Sequence, residues 1–165
     1  MASILNVDQI NNAAGTTALS IDSSGRITKP QQIAFLATNN SGTHTTNVGA
    51  VLDFNRVKIN QGNHYNSSTY TFTAPVAGLY NLYFQVYAHG STAKSIVYQK
   101  NGSDYYVEDV ALGHQGNVNI GDATIVSNIL LDLAVNDEIR LAVRASAANL
   151  SWYGGHSWFQ GYLIG

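Results

Sequence analysis

The sequence predicts an all-β protein built as a sandwich of two antiparallel sheets, and three observations predict it. Apolar and polar residues alternate with a period of two along many short stretches, while helix-period patterns are nearly absent. Gly and Asn punctuate the chain at short intervals, as tight turns between strands require. Proline occurs only at Pro30 and Pro75, so little interrupts the strand runs.

The first segment spans residues 1–31. Leu5 and Val7 alternate with polar residues, as do Leu19 and Ile21. Asp22, Ser23, Ser24 and Gly25 then read as a turn, and Ile27 as part of a return strand. Such a hairpin is too small to fold alone, so it needs sister chains or a docking surface. Pro30 closes the segment with a stiff joint. The second segment, residues 32–165, carries the longer strands. These are expected at 33–38, 49–60, 69–74, 78–88, 94–100, 104–112, 122–134, 137–144 and 157–164. Asn101-Gly102 is a strong hairpin turn, and Asn136-Asp137 is another turn.

The strand from Gly78 is the most informative. Tyr80, Leu82, Phe84 and Val86 share one face, which is pure core. Leu79, Asn81, Tyr83, Gln85 and Tyr87 share the other, where aromatic rings stand beside amides. That mixture fits a buried contact between subunits, in which a ring is dry and its hydroxyl is paired. It also fits a solvated tyrosine ladder.

Composition bounds the function. At 165 residues the chain makes one compact domain, and a fold of this size buries roughly 70% of its unfolded surface. Charged residues are only 11% of the chain, well below the usual share of about one quarter. The surface is therefore built from Asn, Ser, Thr, Gly, Gln and Tyr. Such surfaces suit sugar binding, subunit contacts or rigid structural parts. A net charge of -2 and an isoelectric point near 6.1 leave no basic stripe for nucleic acid. The absence of cysteine excludes disulfides, thiolate catalysis and cysteine-ligated zinc. The opening MASILNVDQINN has no Lys or Arg before Asp8 and no continuous apolar run, so neither a signal peptide nor membrane insertion is expected.

Phe54, Asn60, Tyr65, Phe72, Gly78, Tyr80 and Phe84 reproduce a spaced aromatic signature. In this respect the chain resembles the globular head domain of complement component one, subunit q, over roughly residues 33–165. The stretch TFTAPVAGLYNLYFQV is similar to that family's signature strand pair, with Leu82 where the family usually has Phe. Phe159, Gly161 and Tyr162 resemble its closing strand, Ala34-Phe35 its opening strand, and Asn101-Gly102 its mid-domain turn. The resemblance implies a ten-stranded jelly roll, shared with tumour necrosis factor, that assembles as a tight homotrimer. It places Tyr83 where the necrosis-factor branch has an interface tyrosine, so Leu79, Tyr83, Gln85 and Tyr87 are the expected trimer contacts. The sequence holds no collagen Gly-X-Y run. A second resemblance concerns the leader. ILNVDQI, an Ala-Gly-Thr-Thr gap and LSIDSSGRITKP look like the leader of structural and fibre proteins of tailed bacteriophages.

Catalytic patterns are missing: there is no nucleophile elbow, phosphate loop or dinucleotide fingerprint. His44, His64, His89, His114 and His156 are scattered, without metal-ligand spacing. The adjacent carboxylates Glu108-Asp109 and Asp137-Glu138 point to opposite faces of a strand and cannot share a proton there. Asp104, Glu108 and Asp109 are weak calcium candidates, since some members of the resembled family bind calcium near the trimer apex, but solvated turn carboxylates are the simpler reading. Trp152, Tyr153, His156 and Trp158 form the densest aromatic patch, suited either to stacking on a sugar ring or to packing between subunits.

The expectation from sequence is a non-enzymatic virion structural protein without a cofactor, a trimeric phage tail-fibre or receptor-binding head. It would attach to other virion proteins through residues 1–31 and meet a host-surface glycan or protein. The alternatives are a capsid decoration or head-fibre protein, or a secreted recognition module of complement or cytokine type.

Overall fold

The computed structural model describes residues 7–90, 95–107, 110–111, 121–144 and 148–165. Among these residues there is no α-helix, and one short 3-10 turn occupies Gly154–His156. The leader forms a three-stranded antiparallel meander of β1 (Gln9–Asn11), β2 (Thr17–Ile21) and β3 (Ile27–Thr28). Its turns are closed by side chains that mimic a backbone turn. Asn12 Oδ1 accepts the N–H groups of Ala14 (3.0 Å) and Thr16 (2.9 Å). Asp22 Oδ1 accepts those of Ser24 (2.9 Å) and Arg26 (3.0 Å), while Arg26 Nε donates to Asp22 Oδ2 at 2.7 Å. The hairpin read from Ile21 to Ile27 is thus extended by a third strand.

The head runs through β4 (Ala34–Thr38), β5 (Thr43–Thr46), β6 (Arg56–Gln61), β7 (Tyr65–Asn66), β8 (Thr71–Thr73) and β9 (Gly78–His89). It continues with β10 (Ile96–Lys100), β11 (Ser103–Asp104), β12 (Tyr106–Val107), β13 (Val110–Ala111), β14 (Ala123–Leu133), β15 (Glu138–Val143), β16 (Leu150–Tyr153) and β17 (Trp158–Leu163). The larger sheet centres on β9, which is bonded to β14 along one edge and to β17 and β16 along the other. From β17 the sheet extends to β4 and β6, and from β16 to β5. The smaller sheet has the order β11-β10-β15-β8-β7. The two sheets face each other as a jelly roll, with every sheet pairing antiparallel.

Two expected strands break where the chain leaves a sheet. The run 49–60 is not one strand. Residues 49–52 lie beside β15, with Leu52 N–H donating to Leu141 O (2.9 Å) and Val51 bridging Ala142. The chain then crosses the core edge at Leu52 and Phe54 and joins the larger sheet as β6, so one apolar run serves two sheets. The run 104–112 divides into β11, β12 and β13, and Glu108 and Asp109 lie outside the described residues. The short strands β5, β7 and β16 were not read from the sequence at all, because two to four residues carry too little alternation to register.

The inward faces close over a single aromatic core. Phe35 stacks on Tyr65 and Phe72 at centroid distances of 5.0 and 4.8 Å and meets Phe159 edge-on at 4.9 Å. Tyr80, Leu82, Phe84 and Val86 of β9 are fully buried with them. Buried hydroxyls find carbonyls: Tyr65 donates to Phe54 O (2.9 Å), Tyr80 to Val76 O (2.8 Å), and Tyr98 to Leu82 O (3.3 Å). Burial pushes the Tyr65 and Tyr98 phenols above their ordinary range, because the phenolate would lose its water. Asn60 clamps the β6–β7 turn by donating to Tyr65 O (2.9 Å) and accepting from Tyr65 N–H (3.0 Å). Gly161 passes between β9 and β4 so closely that a Cβ there would lie 2.5 Å from Leu82 Cδ2 and 2.8 Å from Phe35 Cε1.

The two turns foreseen from sequence are tied to each other. Asn101 and Gly102 take φ of 53° and 83°, and Asn136 takes 68°. Asp137 receives Lys100 Nζ at 2.8 Å, Asn101 Nδ2 at 2.8 Å and the Ala134 N–H at 2.8 Å. Asn101 Oδ1 in turn accepts the Glu138 N–H at 2.8 Å. These partners, Lys100 foremost, hold the Asp137 carboxyl below the usual carboxylate range.

Three outcomes follow from this packing. Phe84→Ala costs roughly 3–5 kcal/mol through lost burial and a residual cavity, read as a lower denaturant midpoint. Gly161→Ala costs about 1–3 kcal/mol by overpacking, read the same way. Asp137 is bound more tightly when ionised. Its contribution is therefore complete above the unfolded carboxylate value of 3.8 and disappears as pH falls through the lower folded value. Asp137→Asn, which removes a charge-assisted hydrogen-bond acceptor, lowers stability by about 1–3 kcal/mol at neutral pH and flattens the acid limb of a stability-versus-pH curve.

Candidate functional site

Opposed residues of antiparallel strands share a face, so the ladder registers assemble the outer face of the larger sheet row by row. Asn81 lies between Leu130 of β14 and Tyr162 of β17. Tyr83 lies between Asn128 and Gln160, and Gln85 between Val126 and Trp158. Beyond β17, Gln160 is opposite Leu36, which is opposite Ile59 of β6. Along β9, β17 and β4 no outward residue is Asp, Glu, Lys or Arg. Val126 (52%), Leu130 (55%), Tyr162 (45%) and Ile59 (49%) are exposed in the single chain, although each is large and apolar or aromatic.

The polar groups on this face are largely satisfied within it. Asn81 Nδ2 donates to Asn128 Oδ1 at 2.8 Å, and Gln85 Nε2 to His156 O at 3.2 Å. The Tyr83 and Trp158 rings stack at 6.2 Å between centroids. Between β6, β4 and β17 the face sinks into an open groove of about 490 Å³, lined by Ala34, Leu36, Ile59, Gln160 and Tyr162 together with Lys29 and Gln32 from the joint.

At the other end of β9 the face turns polar. Tyr87 donates to Asp122 Oδ2 at 3.3 Å, His89 Nδ1 lies 3.3 Å from the same oxygen, and Gly90 N–H donates to Asp122 Oδ1 at 2.9 Å. The Gly90 N–H, followed by the His89 and Tyr87 side chains, holds the Asp122 carboxyl below its usual range. The charge of Asp122 in turn raises the Tyr87 phenol. Around this carboxylate the rings of Tyr87, His89, Tyr153 and His156 pack on one another, with Tyr153 and His156 closest at 4.7 Å.

These placements sort the residues singled out from sequence. Leu79, Tyr83, Gln85 and Tyr87 share the outer face of β9. Of the aromatic patch, Trp158 lies on that face, and Tyr153 and His156 stand at its polar rim. Trp152 is a correction: it is 0% exposed and cannot stack on a sugar from solvent. β16 alternates, so Leu150 and Trp152 point inward, where Trp152 packs on Phe54 at 5.2 Å and its indole N–H donates to Thr46 Oγ1 at 3.0 Å. Leu36, Ile59, Val126, Leu130, Tyr162 and Asp122 were not foreseen. Their alternation is visible in the sequence, but their neighbours are set by pairing between distant strands. Asp104 accepts from Gln99 Nε2 at 3.0 Å. The other calcium candidates, Glu108 and Asp109, and likewise His114, lie outside the described residues. Among the described residues no three His, Cys, Asp or Glu side chains gather as a metal site.

Two facing antiparallel sheets, the larger built on a long central strand bonded along both edges, define a jelly roll of the necrosis-factor and complement type. Residues 34–164 match the C1q domain family, and the chain belongs to it. It is 29% identical over 136 residues to the human complement C1q tumor necrosis factor-related protein 3, and equally to the mouse protein of that name. Those alignments cover 81% of this chain and 51% of the relative, so the chain spans about half the length of the curated relatives it matches. Among solved structures, the globular domain of zebrafish complement 1qA protein superposes with a TM-score of 0.62 at 19% identity, covering 81% of this chain and 98% of that one. Eiger TNF from S. frugiperda superposes with a TM-score of 0.60 at 16% identity, covering 82% and 94%. These likenesses show the fold.

The two tryptophans of the chain report on the two environments separately. With Trp158→Phe, the remaining Trp152 emits at short wavelength and resists acrylamide at every protein concentration. With Trp152→Phe, the remaining Trp158, half-buried on the outer face, emits at longer wavelength and is quenched more readily.

Proposed function

We propose that this chain is a non-enzymatic recognition module that works as a homotrimer, with the outer face of the larger sheet as the contact between subunits. The observation that carries the reading is that face itself: uncharged along β9, β17 and β4, carrying exposed Tyr162, Ile59, Val126 and Leu130 beside half-buried Tyr83 and Trp158, with the Asn81 and Gln85 amides already hydrogen-bonded. Burying such a surface releases water from apolar groups at about 25 cal/mol per Å², and β9, β17 and β4 bring no charged side chain into it.

Membership of the C1q domain family supports this reading, because domains of that fold commonly act as trimeric recognition modules. The relatives support it over the virion setting suggested by the leader, and the recognition module replaces that setting as the principal reading. In the trimer the polar rim of Tyr153, His156 and Tyr87 stands at the end of the contact. Its ring faces and hydroxyls, uncharged but for Asp122, suit a neutral glycan, which a glycan array tests directly.

Light scattering of the full chain at micromolar concentration should give about three times 17.7 kDa; a stable folded monomer overturns the reading. Tyr83→Asp should dissociate the trimer, because three carboxylates would be desolvated near one axis and repel one another. The β-sheet circular dichroism should persist, since Tyr83 lies outside the core.

A further inference from the structure

The leader meander has an apolar face that the described residues leave partly open. Ladder partners share a face, and Ile10 is opposite Leu19 while Ile21 is opposite Ile27. Leu19 and Ile21 are two residues apart on β2, so all four side chains lie on one side. Gln9, Ser20 and Thr28 lie on the other. Ile27 is 63% exposed and Ile10 48%. Three short strands whose apolar side faces water are at most marginally stable, yet both turns of this meander are fully hydrogen-bonded. Such a design makes sense if the face is covered.

We propose that it is covered by the same face of sister chains: three meanders pack Ile10, Leu19, Ile21 and Ile27 together and form a second assembly element beside the heads. The proposal rests on the trimer reading above, and four observations favour a second copy over a foreign partner. First, the joint is held rather than loose. Gln61 Nε2 donates to Lys29 O and Pro30 O, each at 3.3 Å, and Gln32 Nε2 donates to Leu163 O at 2.6 Å. The meander therefore leaves the head from a fixed place on the larger sheet. Second, that place is continuous with the proposed contact face. Lys29 and Gln32 line the groove between β4, β6 and β17, and a second hollow of about 300 Å³ carries the surface on past Lys29, Gln31 and Ile164 to Thr16, Thr17 and Ala18 of the meander. Subunits joined through the sheet face would thus bring their meanders out together. Third, residues 7–31 contain two acids, Asp8 and Asp22, and two bases, Arg26 and Lys29, so copies do not repel through net charge. The most centrally placed pair, Asp22 and Arg26, neutralises itself at 2.7 Å. Fourth, three meanders held in one assembly meet at an effective concentration on the order of millimolar, so four aliphatic side chains per copy suffice where a free peptide would not associate.

The chain has no cysteine, which makes single-cysteine cross-linking of the full chain a clean test. Ile27→Cys places a thiol on the apolar face. Thr28→Cys places one on the opposite face, a single residue away, as control. Each purified protein is sized by light scattering, treated with a short bis-maleimide and run on a denaturing gel. The expected result is a trimer in both cases, with cross-linked pairs from Ile27→Cys approaching two thirds of the chains, the ceiling for pairwise linkage of three, and few from Thr28→Cys. A trimer in which neither thiol, or both equally, cross-links overturns the proposal and leaves the trimer reading standing; covering of the face by a foreign partner or by other residues of the chain gives this outcome. A monomer without cross-links overturns both.

Discussion

Strand β9 is bonded along both edges, to β14 over its whole inner length and to β17 and β16 on the other side. Every outward or inward direction in the larger sheet is therefore referenced to its register. A slip of one residue would send Tyr80, Leu82, Phe84 and Val86 to water and bring Asn81, Tyr83 and Gln85 into the core. The core resists that slip from both sides. The inward residues interlock with the Phe35, Phe72 and Phe159 cluster, while the outward amides would be buried without partners. One constraint thus makes the hydrophobic core and the outer face of the larger sheet two sides of the same strand.

The low charge of the chain is consistent with how it folds. Buried polar groups are satisfied by backbone carbonyls, amides and hydroxyls more than by ion pairs: tyrosine hydroxyls on carbonyls, the Trp152 indole on the Thr46 hydroxyl, Asn60 on the Tyr65 backbone. Neutral pairing of this kind carries little desolvation cost compared with buried charge. It also leaves a surface of amides, hydroxyls and rings that can meet another protein surface without unpaired charge. The Asp137 node is the exception. There a lysine and an asparagine converge on a carboxylate to lock two turns together at the edge of the smaller sheet.

Jelly-roll geometry places the joint to the leader on the rim of that same outer face. Gln61 at the edge strand and Leu163 at the end of the closing strand hold the joint from two sides. The head and the leader each carry an apolar surface that the described residues leave partly open, and Lys29 and Gln32 line both the groove on the head and the hollow that reaches Thr16, Thr17 and Ala18 of the meander.

The sequence by itself determined the fold class, because a two-residue period says which side of a strand is apolar without reference to any other strand. It determined the turn at Asn101-Gly102, because positive φ at both positions is tolerated by few residue pairs. It also pointed to the family, because the aromatic spacing from Phe54 to Phe84 reflects rings that meet in one cluster. The tertiary structure alone decided which of two neighbouring tryptophans is core. Trp152 and Trp158 look alike in a Gly-rich stretch, and only the pairing of β16 with β5 and β9 turns Trp152 inward. It alone lined up Val126, Leu130, Tyr162, Leu36 and Ile59 with Tyr83, and it alone showed that residues 49–60 serve two sheets. The reason is physical. Alternation is a local property of one strand, whereas the neighbours of a face depend on the registers of strands far apart in the chain. Those registers are chosen together, by the burial and hydrogen bonding of the whole sandwich.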